Sequence, residues 1–389
     1  MARGLTSLER VRAALEHREG DRVPLDIGGC ILTGIHERAY VRLRRYLGLP
    51  EVVPVIEDRI QGLARVDADL RQRLEVDVLG LNPGLPEGQG FEIEDIGDYE
   101  KLVDEWGIEW HRPKRHGLYF DMRGHPLASA RSAADVERLL RFPDPEQRSR
   151  YRGMAEAARH AMRVEHKAYI LGRNAPGIFE IALWTRGVEA FLSDMLTNPA
   201  LAEAILDRVT AVKLRYWEII LELVGQDVLV VSEADDLATQ LGPLISPALY
   251  RKLIKPRHER LFRHIKQVAR TRVWIFYHSC GALRAFIPDL IEVGVDILNP
   301  VQVSARGMDS AALKQDFGSQ VTFWGGGVDT QQVLPRGTPQ QVKDEVRRRV
   351  QDFAPGGGFV FAAVHNIQAD VPPENIMAMW EAYRECAHY

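Results

Sequence analysis

The chain has 389 residues, and its 50 Lys and Arg against 54 Asp and Glu give a formal net charge of −4. The charges are scattered rather than blocked, which excludes the basic footprint of a nucleic-acid binder, and no stretch approaches the roughly 18 uninterrupted apolar residues needed to cross a bilayer. Three cysteines, Cys30, Cys280 and Cys386, are too few and too scattered for a disulfide framework, so free thiols in a reducing compartment are expected.

The first residues, Met1-Ala2-Arg3-Gly4, lead into a polar helix without an apolar leader, and a cytoplasmic protein is expected. Thr6-Ser7-Leu8-Glu9 has capping-box spacing, and Leu8, Val11 and Leu15 recur on one face of a helix expected to close near Gly20. Val23-Pro24-Leu25-Asp26-Ile27 then reads as a short buried strand entering the turn at Gly28-Gly29, followed by a helix over 34–47. Similar apolar runs recur at 77–81, 168–172, 228–232, 273–277, 296–299, 321–325 and 359–364, eight in all with the first. Most are continuous rather than alternating, as strands buried on both faces should be, and amphipathic stretches such as 199–225, 247–268 and 338–353 separate them. No Gly-x-Gly-x-x-Gly opening is present, so the fold class is α/β, a (β/α)₈ TIM barrel. The stretch 89–128, with Trp106, Trp110, Tyr119 and Phe120 among turn residues, breaks the rhythm and reads as a β-hairpin insertion near the barrel mouth. Residues 1–389 are taken as a single domain.

Barrel strands converge at their C-terminal ends, so polar residues there are the site candidates. They are Asp26; Arg173 with Asn174; Glu233 with Asp235 and Asp236; His278 with Cys280; Asn299 with Gln302; Asp329; and His365 with Asn366 and Gln368. His278-Ser279-Cys280 is the sharpest: residues two apart at a strand end face one way, and imidazole with thiolate suits Zn²⁺. His365 is the best third ligand, with Cys30 and Glu233 in reserve. Asp26, Glu233 and Asp235 are the candidate catalytic carboxylates, although acids also build turns and cap helices. Arg173, Asn174, Asn299, Gln302, Asp329, Asn366 and Gln368 are read as substrate-binding. Gly325-Gly326-Gly327 would suit a phosphate cradle or close backbone packing equally well.

The chain also resembles the uroporphyrinogen decarboxylase-like superfamily from end to end. The resemblance is carried by Thr6-Ser7-Leu8-Glu9-Arg10-Val11, Asp21-Arg22-Val23-Pro24-Leu25-Asp26, His278-Ser279-Cys280-Gly281, Gly294-Val295-Asp296-Ile297-Leu298-Asn299-Pro300 and Pro372-Pro373-Glu374-Asn375-Ile376. It implies a (β/α)₈ barrel, used either for cofactor-free decarboxylation or for zinc-dependent methyl transfer with a corrinoid protein as partner. True porphyrin decarboxylases carry Arg-Gln-Ala-Gly-Arg where this chain reads Ile27-Gly28-Gly29-Cys30-Ile31, which points away from heme-pathway chemistry. The His-x-Cys pair is similar to the zinc ligands of thiol methyltransferases, with the departure that His365 stands where those enzymes have a later cysteine. The expected function is therefore a zinc-dependent methyltransferase acting on a small methylated substrate, exchanging methyl with a corrinoid protein or a thiol. The alternative is a cofactor-independent decarboxylase or lyase of a small carboxylic acid, in which Asp26 and His365 handle protons and Arg173 holds the carboxylate. Helical surfaces leave the oligomer open, a homodimer included.

Overall fold

The computed structural model describes residues 4–87, 91–173 and 176–389. The expected capping box opens α1 (Ser7–Leu15): the Thr6 hydroxyl accepts from the Glu9 amide while the Glu9 carboxylate accepts from the Thr6 amide. The helix stops at Leu15, short of Gly20, and His17 just beyond it takes a left-handed backbone with φ 52°. Beneath the barrel, Arg10 of α1 and Arg22 converge on the buried Asp77 at 2.6 Å each. Asp77 also accepts from the Leu25 amide at 2.9 Å, which pins the first apolar run beside the second.

Strands β1 (Val78–Leu81), β2 (Ala168–Leu171), β3 (Val230–Ala234), β4 (Trp274–His278), β5 (Ile297–Asn299), β6 (Thr322–Trp324) and β7 (Phe359–Val360) form a seven-stranded parallel sheet in chain order. Residues 23–27 fill the gap between its two edges. Leu25 bridges Phe361 in parallel, the Asp26 amide donates to the Phe361 carbonyl at 2.8 Å, and the Asp77 amide donates to the Leu25 carbonyl at 2.9 Å. The apolar runs thus close into a (β/α)₈ barrel. Every residue of β3 and β4 is buried, which is why these runs do not alternate.

The helical layer follows its start signals. Asn198 caps α3 (Pro199–Val224), and α2 (Ile178–Arg186) precedes it; Thr338 and Gln341 box the start of α5 (Pro339–Phe353), and α6 (Pro373–Cys386) begins at a proline. The stretch 247–268 departs from one continuous helix. A short turn, Pro247–Leu249, runs through a π segment, Tyr250–Ile254, into α4 (Lys255–Val268). Pro256 has no N–H for the Lys252 carbonyl, so the ladder opens just ahead of it.

The insertion is richer than a hairpin. Glu94–Ile96, Tyr99–Val103, Glu109–Pro113 and Asp121–Gly124 form a four-stranded antiparallel meander. Trp110 packs edge-on against Trp184 of α2 at 5.3 Å, and its indole N–H donates to Asp104 at 2.9 Å. The Tyr119 hydroxyl donates to Gln368, on the loop after the last barrel run, so the meander is tied to the rim of the mouth.

Candidate metal centre

The end of β4 and the end of the last apolar run bring His278, Cys280 and His365 together. One ligand atom from each lies within 4.8 Å of the others, and the two imidazole rings meet edge-to-face at 5.2 Å. Cys280 Sγ is 3.4 Å from His278 Nε2. Typical zinc–sulfur and zinc–nitrogen bonds at a tetrahedral angle separate the two donors by about 3.6 Å, so the pair is spaced for a shared ion.

A neighbouring residue fixes which nitrogen of His278 is free. Asn299 donates its amide N–H to the Trp324 carbonyl at 2.8 Å, so its oxygen must face the ring, and His278 Nδ1–H donates to it at 2.5 Å. The Nε2 lone pair is left pointing at Cys280, and the Asn299 contact also holds the ring's orientation. Asn299, expected to bind substrate, is therefore a positioning residue. Asn299→Ala should weaken metal binding by roughly 10- to 100-fold, read by chelator competition. His365 is tuned differently: the Asn366 amide donates to its Nδ1 at 2.7 Å, so the neutral ring carries its proton on Nε2. A cation held through Nε2 requires that proton to shift; one held through Nδ1 displaces only the Asn366 contact.

Burial, above all, pushes both imidazoles down to about 3, opposed at His278 by the Asn299 hydrogen bond, so both rings are neutral and available as ligands. Burial followed by the charges of Asp236 and Glu180 holds the Cys280 thiol well above its usual range. Without a cation it stays a thiol, and a dication beside it reverses that preference. Two neutral imidazoles and one ionisable thiol are a donor set that fits Zn²⁺.

Two carboxyls complete the surroundings. Asp236 accepts from the Cys280 amide at 2.7 Å, and burial raises its carboxyl. Glu180, in the first turn of α2, is pushed up to about 8 by burial and then by Asp236 and Asp235. Sequence reasoning assigned no role to Glu180, because an acid in a helix's first turn is ordinarily explained by the helix dipole. The usable signal was its position in the first turn of the helix that follows a barrel strand. α2 reaches the site because Gly177 lets it press on the end of β3: a Cβ there would lie 1.5 Å from the Ala234 carbonyl.

The other expected site residues separate into two groups. Glu233 points out of the barrel, where Lys213 and the Trp217 indole of α3 hold it at 2.8 and 2.7 Å. It is a buried ion-pair anchor and lies outside the donor trio, which corrects its expected catalytic and reserve-ligand roles. Glu233→Gln should destabilise the protein in urea unfolding by about 1–3 kcal/mol, by replacing the buried charge that faces Lys213 with a neutral amide, while leaving metal content unchanged. Asp235 is likewise committed, to His258 at 2.7 Å and to the Glu180 amide at 2.7 Å. Asp26 accepts from the Gly29 amide at 2.7 Å and the Trp324 indole at 2.8 Å; burial lifts its carboxyl to about 6.

Gln302 accepts from the Gly281 amide at 2.7 Å and so supports the loop after Cys280. Asp329 accepts from the Gln332 amide at 2.8 Å and the Ser304 hydroxyl at 3.1 Å. Asn366 joins the Gly34 amide to Gln61, and Gln368 donates to the Asn366 carbonyl while accepting from Tyr119. These four hold loops. Cys30 is buried against Thr33, pushed up to about 12 and outside the trio. The triple glycine is a packing device, since a Cβ on Gly327 would lie 2.5 Å from Phe361. Asn174 lies outside the described residues. Arg173 stands apart, its Nε shielded from solvent with no hydrogen-bond partner.

The fold is a barrel with a His/Cys/His cluster at its mouth that could hold a metal ion, and comparison with known proteins supplies the family. The uroporphyrinogen decarboxylase (URO-D) family profile matches residues 120–386, and the chain belongs to that family. A uroporphyrinogen decarboxylase of Alkalilimnicola ehrlichii is 25% identical over 314 residues, 75% of each chain. The methylated-thiol–coenzyme M methyltransferase of Methanosarcina mazei is 25% identical over 210 residues, covering 53% of this chain and 51% of that one. Among solved structures, a methyltransferase from Methanosarcina mazei shares the fold with a TM-score of 0.63 at 21% identity, over 98% of this chain and 99% of that one. The relatives are thus enzymes of two kinds, decarboxylases and a methyltransferase.

Proposed function

We propose that the protein is a zinc-dependent methyltransferase acting on a small methylated substrate and exchanging methyl with a corrinoid protein or a thiol. The observation that carries this reading is the convergence of His278, Cys280 and His365 within 4.8 Å at the barrel mouth. The methylated-thiol methyltransferase among its relatives supports it. A zinc ion held by these three side chains would supply Lewis acidity at an open position, as three-ligand zinc sites do.

The chain's own groups supply the rest. Asn299 keeps the His278 Nε2 lone pair aimed at the trio. Asp236 holds the Cys280 backbone. Glu180 carries a proton near neutral pH and can deliver it to a leaving heteroatom. Arg173 binds substrate, and the polar neighbours Gln302, Asp329, Asn366 and Gln368 shape the loops around it. No helix among the described residues is long and apolar enough to cross a membrane, and we read the protein as a cytoplasmic single domain of 1–389 that includes the 89–128 insertion.

The test combines metal analysis of chelator-free protein with transfer of a labelled methyl group to free cobalamin or a thiol. Methyl transfer that requires zinc supports the reading, and protein that neither holds zinc nor moves methyl groups sinks it. A second reading rests on the decarboxylase relative: a metal-free carboxy-lyase with Asp26 handling protons. It has to contend with both Asp26 oxygens being held by donors, and it expects carbon dioxide release that chelators leave unchanged.

A further inference from the structure

The α2 helix cannot cap itself. Its N-cap is Gly177, which has no side chain, and glycine is required there because a Cβ would lie 1.5 Å from the Ala234 carbonyl and 2.1 Å from Asp235 Oδ1. The orphan amide of Glu180 is served instead from another element, by Asp235 Oδ1 at 2.7 Å. The Glu180 carboxyl folds back onto the Gly177 amide at 3.4 Å, so the residue is held at both ends. The same Asp235 reaches the strand of the metal trio: its amide donates to the His278 carbonyl at 3.0 Å, and Ala234 pairs with His278 in the sheet. Backbone contacts thereby fix Glu180 against the strand end that carries His278.

What aims the Asp235 carboxylate lies outside the barrel. Its second oxygen faces His258 Nε2 of α4 at 2.7 Å, and since a carboxylate only accepts, that nitrogen carries the proton between them. The Tyr250 hydroxyl meets Nδ1 at 3.1 Å, while Phe262 stacks on the ring at 5.4 Å and Tyr277 meets it edge-on at 5.5 Å. Tyr250, His258 and Asp235 are all buried. The π segment Tyr250–Ile254 makes this arrangement possible. Eight residues of regular helix turn about 80° beyond whole turns, which would set Tyr250 and His258 on different faces; the residue that the π segment absorbs brings them to within roughly 20°. An aromatic hydrocarbon would fill the space of His258 as well, so what the imidazole adds is the donor that aims Asp235.

We propose that His258 is a positioning residue for proton delivery at the mouth: acting through Asp235, it holds Glu180 at the strand end that carries His278, and Tyr250 in turn holds His258. The proposal rests on the methyl-transfer reading only for what the Glu180 proton does; the placement of α2 is independent of it.

The test compares two variants of the zinc-loaded full chain: His258→Phe, which keeps the stack and removes the donor, and His258→Gln, which keeps an N–H donor near the place of Nε2. In His258→Phe, kcat for methyl transfer to free cobalamin or a thiol should fall roughly 10- to 100-fold, with KM for the methyl donor and zinc content unchanged, and His258→Gln should restore most of it. In a Glu180→Gln background His258→Phe should cost no further turnover, because the group it positions is already gone. Hydrogen exchange of the first turn of α2, followed by mass spectrometry, needs neither metal nor turnover. It should quicken about tenfold in His258→Phe and stay near parental in His258→Gln. Tyr250→Phe, the loss of one hydroxyl, should move kcat and exchange the same way by a smaller factor, and it decides the matter if His258→Phe does not fold. Unchanged exchange, no rescue by glutamine, or a loss of turnover that adds in full to that of Glu180→Gln overturns the inference. Parent protein that moves no methyl group, yet shows the His258-dependent exchange, overturns the methyltransferase reading and leaves the placement of α2 by His258 standing.

Discussion

Cys280→Ala is expected to emerge from purification without zinc and with methyl transfer reduced to background. Zinc sites in small domains contribute about 10–16 kcal/mol of apparent binding free energy. Loss of one of three ligands therefore removes roughly 3–5 kcal/mol, on the order of a 10³-fold loss of affinity. That loss reads as metal content after dialysis against a weak chelator. It also reads as disappearance of the thermal stabilisation that added zinc gives the parent protein, because a ligand that binds only the folded state raises its melting temperature. The substitution is a clean one, since Cys280 is half-buried at the mouth and its side chain contacts His278 rather than the core. His278→Ala should give the same loss of metal with an added stability cost of about 1–3 kcal/mol, because the buried Asn299 oxygen loses its donor. Zinc content and turnover unchanged in both variants would remove the basis of the proposed function.

The barrel was legible because parallel strands buried on both faces leave continuous apolar runs, and each of those runs became a strand or, at 23–27, the segment that closes the sheet. That same continuity hid which way side chains point. With no alternation to read, nothing in Val230-Val231-Ser232-Glu233 distinguishes an acid facing the mouth from one facing α3, and only Lys213 and Trp217 across the layer decide it. His278 and Cys280 escaped the ambiguity because they lie where the strand gives way to loop. The insertion was visible as a break in rhythm but not as four strands, since Glu94–Ile96 is exposed throughout and carries no apolar pattern. Glu180 and the role of Asn299 depend on contacts between elements far apart in the chain, which a linear reading cannot supply.

Glu180→Gln is expected to separate the proton at the mouth from the metal. In the folded protein burial, followed by Asp236 and Asp235, lifts this carboxyl from its ordinary 4.5 to about 8, while Arg173 opposes the shift. Between those two values the folded chain keeps a proton that the unfolded chain has released. Stability contributed by the protonated form is therefore complete below about pH 4.5 and is lost as pH rises toward 8, at up to about 1.4 kcal/mol per pH unit. Glutamine cannot ionise, so metal-free Glu180→Gln should match the parent near pH 4.5 and exceed its stability at pH 8, as measured by urea unfolding at each pH. A bound dication would draw the Glu180 titration downward, so the advantage of the variant at pH 8 should shrink on adding zinc. Turnover runs the same way with pH: the parent should lose activity as pH rises through the Glu180 titration, because the proton to be donated is gone. The glutamine variant should be slower by about 10²- to 10⁴-fold, the range of a general acid, and lack that alkaline limb. Zinc content in the variant should equal that of the parent, since Glu180 is not among the three ligands. A variant with parental rate and the same alkaline limb would assign the proton to another group, with Asp236 the nearest by its contact with Cys280.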